Sequence, residues 1–556
     1  MPLTETLNNP AYKKYFLFFL FLFLIAVKIP TLISDDMQPW DEGMYATRVL
    51  AIHEFGVFLD QSEYSVGEFY SASHPPLLIW IGYIFTLIFG TSAIVFKIII
   101  FLFSLGCLWL IVNISQQVFD LRTGYIASML FTVNILFHVF SKRFQFDIPY
   151  IFFILLSFYF FLKYTDNAKL RYLIFSGISF GLCLMVKIIV GVFIPLVILT
   201  FILISHKNIK IKFSHFLIFV LTGLAIALPW HIYMYMNFGN TFLEYFFGFH
   251  IFSRAFEGVE MNVKGSGIFY HINYLMSILP LAILLLFAFI RDFKNFKILS
   301  VKKLFIWVWF MTGLVIISFF RTKLEVYGFF ILTPGVILIS DYIFNYENKN
   351  KFFTSSVLFL LIVNIFWFAT ESLRPEFKNY LASDEKIIIL IILFISVILI
   401  YSLCLLVSGK INLSKILIYS VIIYFFGFNL YYLFNPPEWD NNYILSNIKD
   451  KVFEKYDDTE NLYYIGSNYK HNAQFSFYFN GDNLNWDKHK YDFLLMDTKY
   501  NRDITKFELS NTYKKTYLIV EKDGINRVDY PESSQFIPDN FKLILKNPGY
   551  ELYSNF

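Results

Sequence analysis

Charge is scarce in this chain: only 16% of its 556 residues are Asp, Glu, Lys or Arg, while 57% are hydrophobic and 21% aromatic. A single soluble domain of that composition could not cover its surface, and the apolar residues come in blocks long enough to cross a bilayer as helices. Cysteine is almost missing. Cys107, Cys183 and Cys404 all lie inside apolar runs, which excludes a disulfide framework or a cysteine-based metal site. There is no small-x-small cleavage site after the first apolar run, no Walker or Gly-rich dinucleotide motif, no zinc signature and no short-period repeat. Nothing points to nucleic acid as a partner. The strand alternation of an outer-membrane barrel is also missing from the first 435 residues. The net charge of +4 decides little, because orientation follows where Lys and Arg sit.

What is there reads as a polytopic α-helical membrane protein. The first span starts near Tyr15, after Lys13 and Lys14, and is uncleaved. Further apolar blocks at 92–115, 123–140, 148–163, 171–187, 189–205, 213–235, 268–290, 304–320, 325–344, 353–370, 386–408 and 415–434 bring the count to about thirteen. Arg122, Lys163 with Lys169 and Arg171, Lys207 through Lys212, Arg291 through Lys303, Lys349 with Lys351, and Lys410 with Lys415 fall in alternate loops, which makes those loops cytoplasmic. Leu77 to Phe89 is short for a crossing, follows Pro75 and Pro76, and reads as an interfacial or re-entrant helix. Lys28 and Lys97 read as snorkelling side chains.

This assignment puts loops 35–91, 141–147, the Lys187 turn, 236–267, 321–324 and 371–385 on the outer face, so that residues 1–434 form one membrane domain with 35–91 as its large first extracytoplasmic loop. Between Asp35 and His74 that loop holds eight carboxylates against the single cation Arg48. Residues 435–556 change character to Asn, Asp, Lys and Tyr. Short β-type runs at Leu462–Ile465, Phe475–Phe479, Phe493–Met496, Tyr517–Val520, Phe541–Leu545 and Tyr550–Tyr553, with an amphipathic stretch Tyr443–Phe453, read as a small α/β domain on the outer side.

The chemically loaded residues collect on that same face: Asp41, Glu42, His74, Arg143, Asp147, Lys187, His250, Arg254, Arg321 and Lys323. A carboxylate can orient or deprotonate an acceptor hydroxyl, and cations can receive a departing phosphate. Asp41 suits the first task. His250, Arg254 and Lys323 suit the second, and a chain with 70 Phe readily supplies a greasy groove for a polyprenyl tail.

Several motifs then carry a resemblance. Asp41-Glu42-x-x-Tyr45-Ala46 and Pro75-Pro76-Leu77-x-x-Trp80 resemble the first outer loop of the GT-C glycosyltransferases of the protein O-mannosyltransferase and aminoarabinose transferase type. Arg143-x-x-x-Asp147 is similar to that family's second acidic motif, and Leu184-x-x-Lys187-x-x-x-Gly191 to its short Lys loop. Leu228-Pro229-Trp230 with His250-x-x-x-Arg254 resembles its larger loop, and Lys323-x-x-x-Tyr327 with Pro334 its later Lys-Tyr-Pro signature. The motifs run in the family's order through about residues 13–340. The tail's Phe475-Ser476-Phe477-Tyr478-Phe479 is similar to the family's soluble domain, less specifically.

The resemblance implies the GT-C fold and inverting transfer from a polyprenyl-phosphate sugar to a hydroxyl or phosphate of a lipid, glycan or protein acceptor. It implies Asp41, Glu42 and Asp147 as catalytic acids. Tyr45, His74, Arg143, Lys187, His250, Arg254, Lys323 and Tyr327 would contact substrate, with membrane lipid around them. One departure is clear: where aminoarabinose transferases carry Glu-Lys-Pro, this chain has Ser73-His74-Pro75, which removes a metal-ligating carboxylate and a permanent cation. No metal ligand is assigned, a divalent cofactor stays open, and lipid A aminoarabinose transfer is disfavoured. The chain's compactness suits a bacterial inner (plasma) membrane. The rival reading is a transporter or flippase for a lipid-linked saccharide, which should carry midplane charges and two similar halves.

Overall fold

The computed structural model of the chain describes residues 8–34, 36–64, 66, 68–205, 211–258, 269–294, 299–345, 357–365, 413–434, 444–454, 461–466, 473–480, 495–497, 513–521, 537–547 and 549–556. The expected span 386–408 and loop 371–385 lie outside the described residues. Among the described residues seven helices are long and apolar enough to cross a membrane. The chain is a helical membrane protein that divides into two compact units, residues 1–30, 100–141 and 146–437 in the first and 31–99, 142–145 and 438–556 in the second.

The first unit is a helical bundle whose helices approach closely where side chains are small. The Leu170–Val186 and Phe213–Leu243 helices meet at Gly177, Gly181 and Gly223, and a Cβ added at Gly181 would lie 2.5 Å from the Gly223 carbonyl oxygen. Small residues serve here because lipid supplies no hydrophobic drive between helices, so close packing and polar contacts hold them. The 123–140 block is two helices, Leu121–Thr132 and Ile135–Phe140. The break is made by Asn134, whose side chain accepts from the Phe137 N–H and so starts the second helix. The 268–290 block is likewise split, into Tyr270–Ile278 and Leu284–Lys294.

The expected loop at 236–267 is a correction: Phe213–Leu243 runs on, bending at Gly239 (φ 51°), and is followed by a π-helical segment Glu244–Glu257. Helical hydrogen bonding satisfies its backbone internally, as an apolar environment demands. At the far end of the bundle, Lys303 donates to Asp292 (2.8 Å) and Asp341 (2.7 Å), Arg291 pairs with both acids, and the Trp307 indole donates to Asp292 (2.9 Å). This network ties the C-terminal end of the Phe329–Phe344 helix to its neighbours and so fixes the register of the segment at its other end, 320–328.

Lys28 does not snorkel. It is buried, and its ammonium contacts His138 Nδ1 (3.1 Å) and donates to the His138 carbonyl (3.2 Å). Lys97, in the second unit, is buried too and donates to the Asp36 carbonyl (2.9 Å).

The second unit joins the first outer loop to the C-terminal segment. Its five-stranded sheet has the order β2-β1-β3-β5-β4, with β1 Asn461–Gly466, β2 Leu495–Asp497, β3 Thr516–Glu521, β4 Lys542–Lys546 and β5 Tyr550–Ser554. β1 pairs in parallel with β2 and β3, and β5 pairs antiparallel with β3 and β4. Strand β3 is buried along its whole length, as a central strand covered on both faces should be.

Four of the expected β-type runs coincide with strands, and Phe493–Met496 overlaps β2 in its described part. Phe475–Phe479 does not: Gln474–Asn480 is a helix. It lies against the Asp41–Phe55 helix at Gly43, where a Cβ would come within 2.2 Å of the Gln474 nitrogen. Asp36 completes the join, since its carboxylate accepts the N–H groups of Leu445 (2.6 Å) and Ser446 (2.8 Å) at the start of the Ser446–Glu454 helix.

Gly43→Ala should therefore cost about 1–3 kcal/mol, because backbone and not a pliable side chain occupies the space. Gly427→Ala, with nothing within 4 Å of its added Cβ, should cost nothing measurable. Thermal unfolding of the two variants in the same detergent makes the comparison.

Candidate active site

The expected residues gather in two groups, one in each unit. In the second unit, Asp41 and Glu42 form the first turn of the Asp41–Phe55 helix, where the helix dipole favours carboxylates. The turn is set by Trp40, whose φ of 66° is unusual for any residue but glycine, so the chain enters the helix under strain at the point where it presents Asp41. Asp41 is half-buried. Glu42 is wholly buried, with Oε2 accepting the Gln38 N–H (2.9 Å) and Oε1 the Phe144 N–H (3.0 Å). It thereby links the acidic helix to segment 142–145, which carries Arg143, itself buried.

One turn along the helix, the Tyr45 ring packs edge-on to His74 at 6.2 Å between centroids, and Tyr70 does the same from another side at 6.3 Å. The turn that holds His74 is in turn held by Arg48. This fully buried guanidinium donates to Gln61 Oε1 (3.1 and 3.0 Å) and to the carbonyls of Ser71 (2.8 Å) and His74 (3.0 Å). Burial pushes its pKa down to about 10, with Tyr45 and Asp60 acting in the opposite direction.

In the first unit, Asp147 opens the Asp147–Asn167 helix and is buried. The cations whose fields act on it are Lys187 and Arg254. Lys187 stands in the extended break between Leu170–Val186 and Ile188–Gly191, with its ammonium 6.0 Å from the centre of the Tyr150 ring. His250 and Arg254 lie four residues apart on the π-helical segment, both buried, and the Arg254 guanidinium sits 5.9 Å from the Phe249 ring.

The end of that segment runs alongside the 320–324 stretch: the Thr322 N–H donates to the Arg254 carbonyl (3.1 Å) and the Arg321 N–H to that of Ala255 (3.0 Å). Lys323 is thus tied through its neighbour to Arg254. Its ammonium donates to the carbonyls of Ile317 (3.2 Å) and Ser318 (2.7 Å) at the end of the Val301–Phe319 helix, and burial lowers its pKa. Tyr327 follows in the short 3₁₀ turn Glu325–Gly328. It borders a small apolar cleft of about 30 Å³ lined also by Val190, Phe193, Gly313, Ile317 and Phe320.

Sequence reasoning missed Arg48, Tyr150 and Gly43. Arg48 was visible as the sole cation of an acidic loop. Tyr150 was visible as the residue one turn past Asp147, hence on the same helix face.

Among the described residues no three His, Cys, Asp or Glu side chains come together as a metal would require. Ser73 offers no carboxylate where the aminoarabinose transferases have one, so no step below passes through a metal ion.

Residues 73–233 match the family model described as dolichyl-phosphate-mannose-protein mannosyltransferase. An Aquifex aeolicus protein described only as uncharacterized is 25% identical over 320 residues, which is 57% of this chain and 71% of that one. ArnT from Cupriavidus metallidurans, solved bound to undecaprenyl phosphate, is similar with a TM-score of 0.66 at 14% identity, over 97% of both chains. The Archaeoglobus fulgidus oligosaccharyltransferase, solved tethered to an acceptor peptide containing the NVT sequon, gives a TM-score of 0.50 at 14% identity, over 92% of this chain and 70% of that one. At such identities the structural likeness is one of fold. Joined to the family match and to the ordered motifs, it supports a GT-C glycosyltransferase of the protein O-mannosyltransferase and aminoarabinose transferase type.

Proposed function

We propose that this protein moves a sugar from a polyprenyl-phosphate donor to a hydroxyl or phosphate of a lipid, glycan or protein acceptor, with inversion, on the outer face of a bacterial inner membrane. The observation that carries the proposal is the meeting of four separate motifs in the first unit: Lys187 and Arg254 act on Asp147, and Arg254 is tied by backbone hydrogen bonds to the segment bearing Lys323 and Tyr327. Cations brought into an apolar bundle from distant parts of the sequence suit an anionic leaving group better than they suit lipid.

The chemistry follows from charge. When the sugar C1–O bond breaks, the phosphate gains negative charge, so cations already in place stabilise the transition state more than the bound donor. Arg254 offers a fork of N–H groups to two phosphate oxygens, and Lys187 and Lys323 offer point charges. Lys323 reaches the phosphate by exchanging its carbonyl contacts for the stronger anion. Attack comes from the opposite side of C1, which inverts the anomeric centre.

Asp41 is the residue for the acceptor: it is half-buried and stands at a helix N-terminus, where a carboxylate is favoured. Glu42 accordingly acts as the clamp that aims Asp41, in place of the catalytic part expected for it. Tyr45, His74 and Arg143 line the acceptor side. We further assign about thirteen spans, with residues 435–556 as an outer α/β domain.

Asp41→Asn should lower transfer about 10²–10⁴-fold with an unchanged unfolding temperature. Glu42→Gln should instead lower stability, by about 1.5–3 kcal/mol, because an amide turns an NH₂ toward one of two backbone N–H donors. Membranes given radiolabelled polyprenyl-phosphate sugars, with label followed into protein, lipid and polysaccharide fractions, measure the first. Full transfer by Asp41→Asn would remove the proposed base.

Gly313→Phe should lower stability by about 1–3 kcal/mol, because the cleft is far smaller than a phenyl ring and a Cβ there already meets the Phe330 carbonyl oxygen at 3.4 Å. An unchanged unfolding temperature in detergent would show that the helices part to take the ring.

A further inference from the structure

Four helices of the first unit meet at a corner far from Asp147. Lys163 lies on the Asp147–Asn167 helix, about 24 Å from Asp147 at 1.5 Å per residue, most of the thickness of a bilayer's hydrocarbon. Arg171 and Tyr172 come from the start of the Leu170–Val186 helix, Asn113 and Gln116 from the end of the Ala93–Val118 helix, and Lys13 from the start of the Pro10–Ser34 helix.

Neutral groups hold the three cations. The Lys13 ammonium donates to Asn113 Oδ1 (2.7 Å) and Gln116 Oε1 (2.6 Å). That of Lys163 sits over the rings of Tyr159 and Tyr172, 4.6 and 5.7 Å from their centres. The Arg171 guanidinium lies over the same Tyr172 ring (5.0 Å) and donates to its hydroxyl (3.3 Å). Asp166, the acid at this end of the helix, is engaged by Lys302 and by the Gln117 amide. Among the described residues no carboxylate pairs with Lys13, Lys163 or Arg171. A merely solvated face would let its long side chains float in water. Here amide oxygens and π faces keep the cations in place with their charge uncompensated.

The surface beside them is apolar. Trp109 packs on Tyr159, ring centres 5.8 Å apart, and is 39% exposed; Leu102, two turns earlier on the same helix, is 47% exposed. An anion's place thus adjoins a greasy strip that leads away from it along the Ala93–Val118 helix.

We propose that this corner binds an anionic phospholipid, its phosphate against Lys163 and Arg171 and an acyl chain along Trp109 and Leu102. A zwitterionic lipid would bring its own ammonium to the same cations, so the charge selects the headgroup while the strip selects a lipid over a free phosphate. The proposal rests on the chain's spanning a bilayer and is independent of the transferase reading.

The full-length protein in phosphatidylcholine vesicles, given a minor fraction of phosphatidylglycerol with brominated acyl chains, tests it through tryptophan quenching. The chain has nine Trp, so the difference between the unaltered protein and Trp109→Phe isolates Trp109. Its quenching should show a preference of about tenfold or more for brominated phosphatidylglycerol over brominated phosphatidylcholine. Lys163→Gln with Arg171→Gln should bring that ratio within about twofold of one. Lys212→Gln with Lys415→Gln, which removes as much charge at exposed positions elsewhere, should leave it unchanged.

Equal quenching of Trp109 by the two lipids overturns the proposal, and this comparison needs only the unaltered protein and Trp109→Phe should the double variant fail to fold. Equal losses in the two double variants overturn it too, because diffuse attraction would then explain the preference. Displacement of the brominated lipid by glycerol phosphate at the same headgroup concentration would show that the acyl chain contributes nothing, and would overturn the lipid as occupant.

Discussion

Glu42 has its carboxylate withdrawn from water, and the cost of that is offset by two backbone N–H groups, from Gln38 and from Phe144. A charge removed from solvent must be matched or neutralised, and a match made with backbone is also a constraint on the chain. Gln38 lies four residues before the acid and Phe144 a hundred and two after it, so one side chain holds the entry to the acidic helix and a distant segment in a single arrangement. The same reasoning applies to Arg48, whose guanidinium fixes the Ser71 and His74 carbonyls, and to Asp36, whose carboxylate fixes the start of the Ser446–Glu454 helix. In the second unit these charged residues shape the backbone around the head of the Asp41–Phe55 helix.

The first unit shows the same constraint in a setting still poorer in water. Asp292, Asp341, Arg291 and Lys303 satisfy one another at one end of the bundle. Buried pairs of this kind add little stability over a well-packed apolar core, and what they add is register. The Phe329–Phe344 helix is pinned there, and the 3₁₀ turn with Tyr327 begins immediately before it. Asp147 stands apart from that network, buried at the head of the Asp147–Asn167 helix.

The apolar blocks could be read from the sequence because lipid forces backbone hydrogen bonds inside each segment, leaving few structures for a long apolar run. Leu77–Phe89 was delimited correctly by Pro75, Pro76 and Gly90, since those residues act locally. What failed was non-local. Phe475-Ser476-Phe477-Tyr478-Phe479 alternates like a strand, but contact with the Asp41–Phe55 helix at Gly43 overrides the pattern. Lys28 looked like a snorkelling residue because its partner His138 is 110 positions away. The outer loop assigned at 236–267 is helical as far as Glu257, since the polar and aromatic residues there gave no apolar run to mark it. The motif residues were readable by family order. Arg48 was visible only as the sole cation of its loop, because what it does is hold the Ser71 and His74 carbonyls in place.

Two acids that each open a helix are thus placed in different surroundings. Asp41 is half-buried behind a strained Trp40, where the helix dipole favours its charge and water has access. Asp147 is buried in the helical bundle. A group that must exchange a proton with an incoming acceptor needs solvent and room, and a group that must hold cations at a fixed spacing needs neither. Burial therefore suits the two acids to different tasks before any substrate is considered.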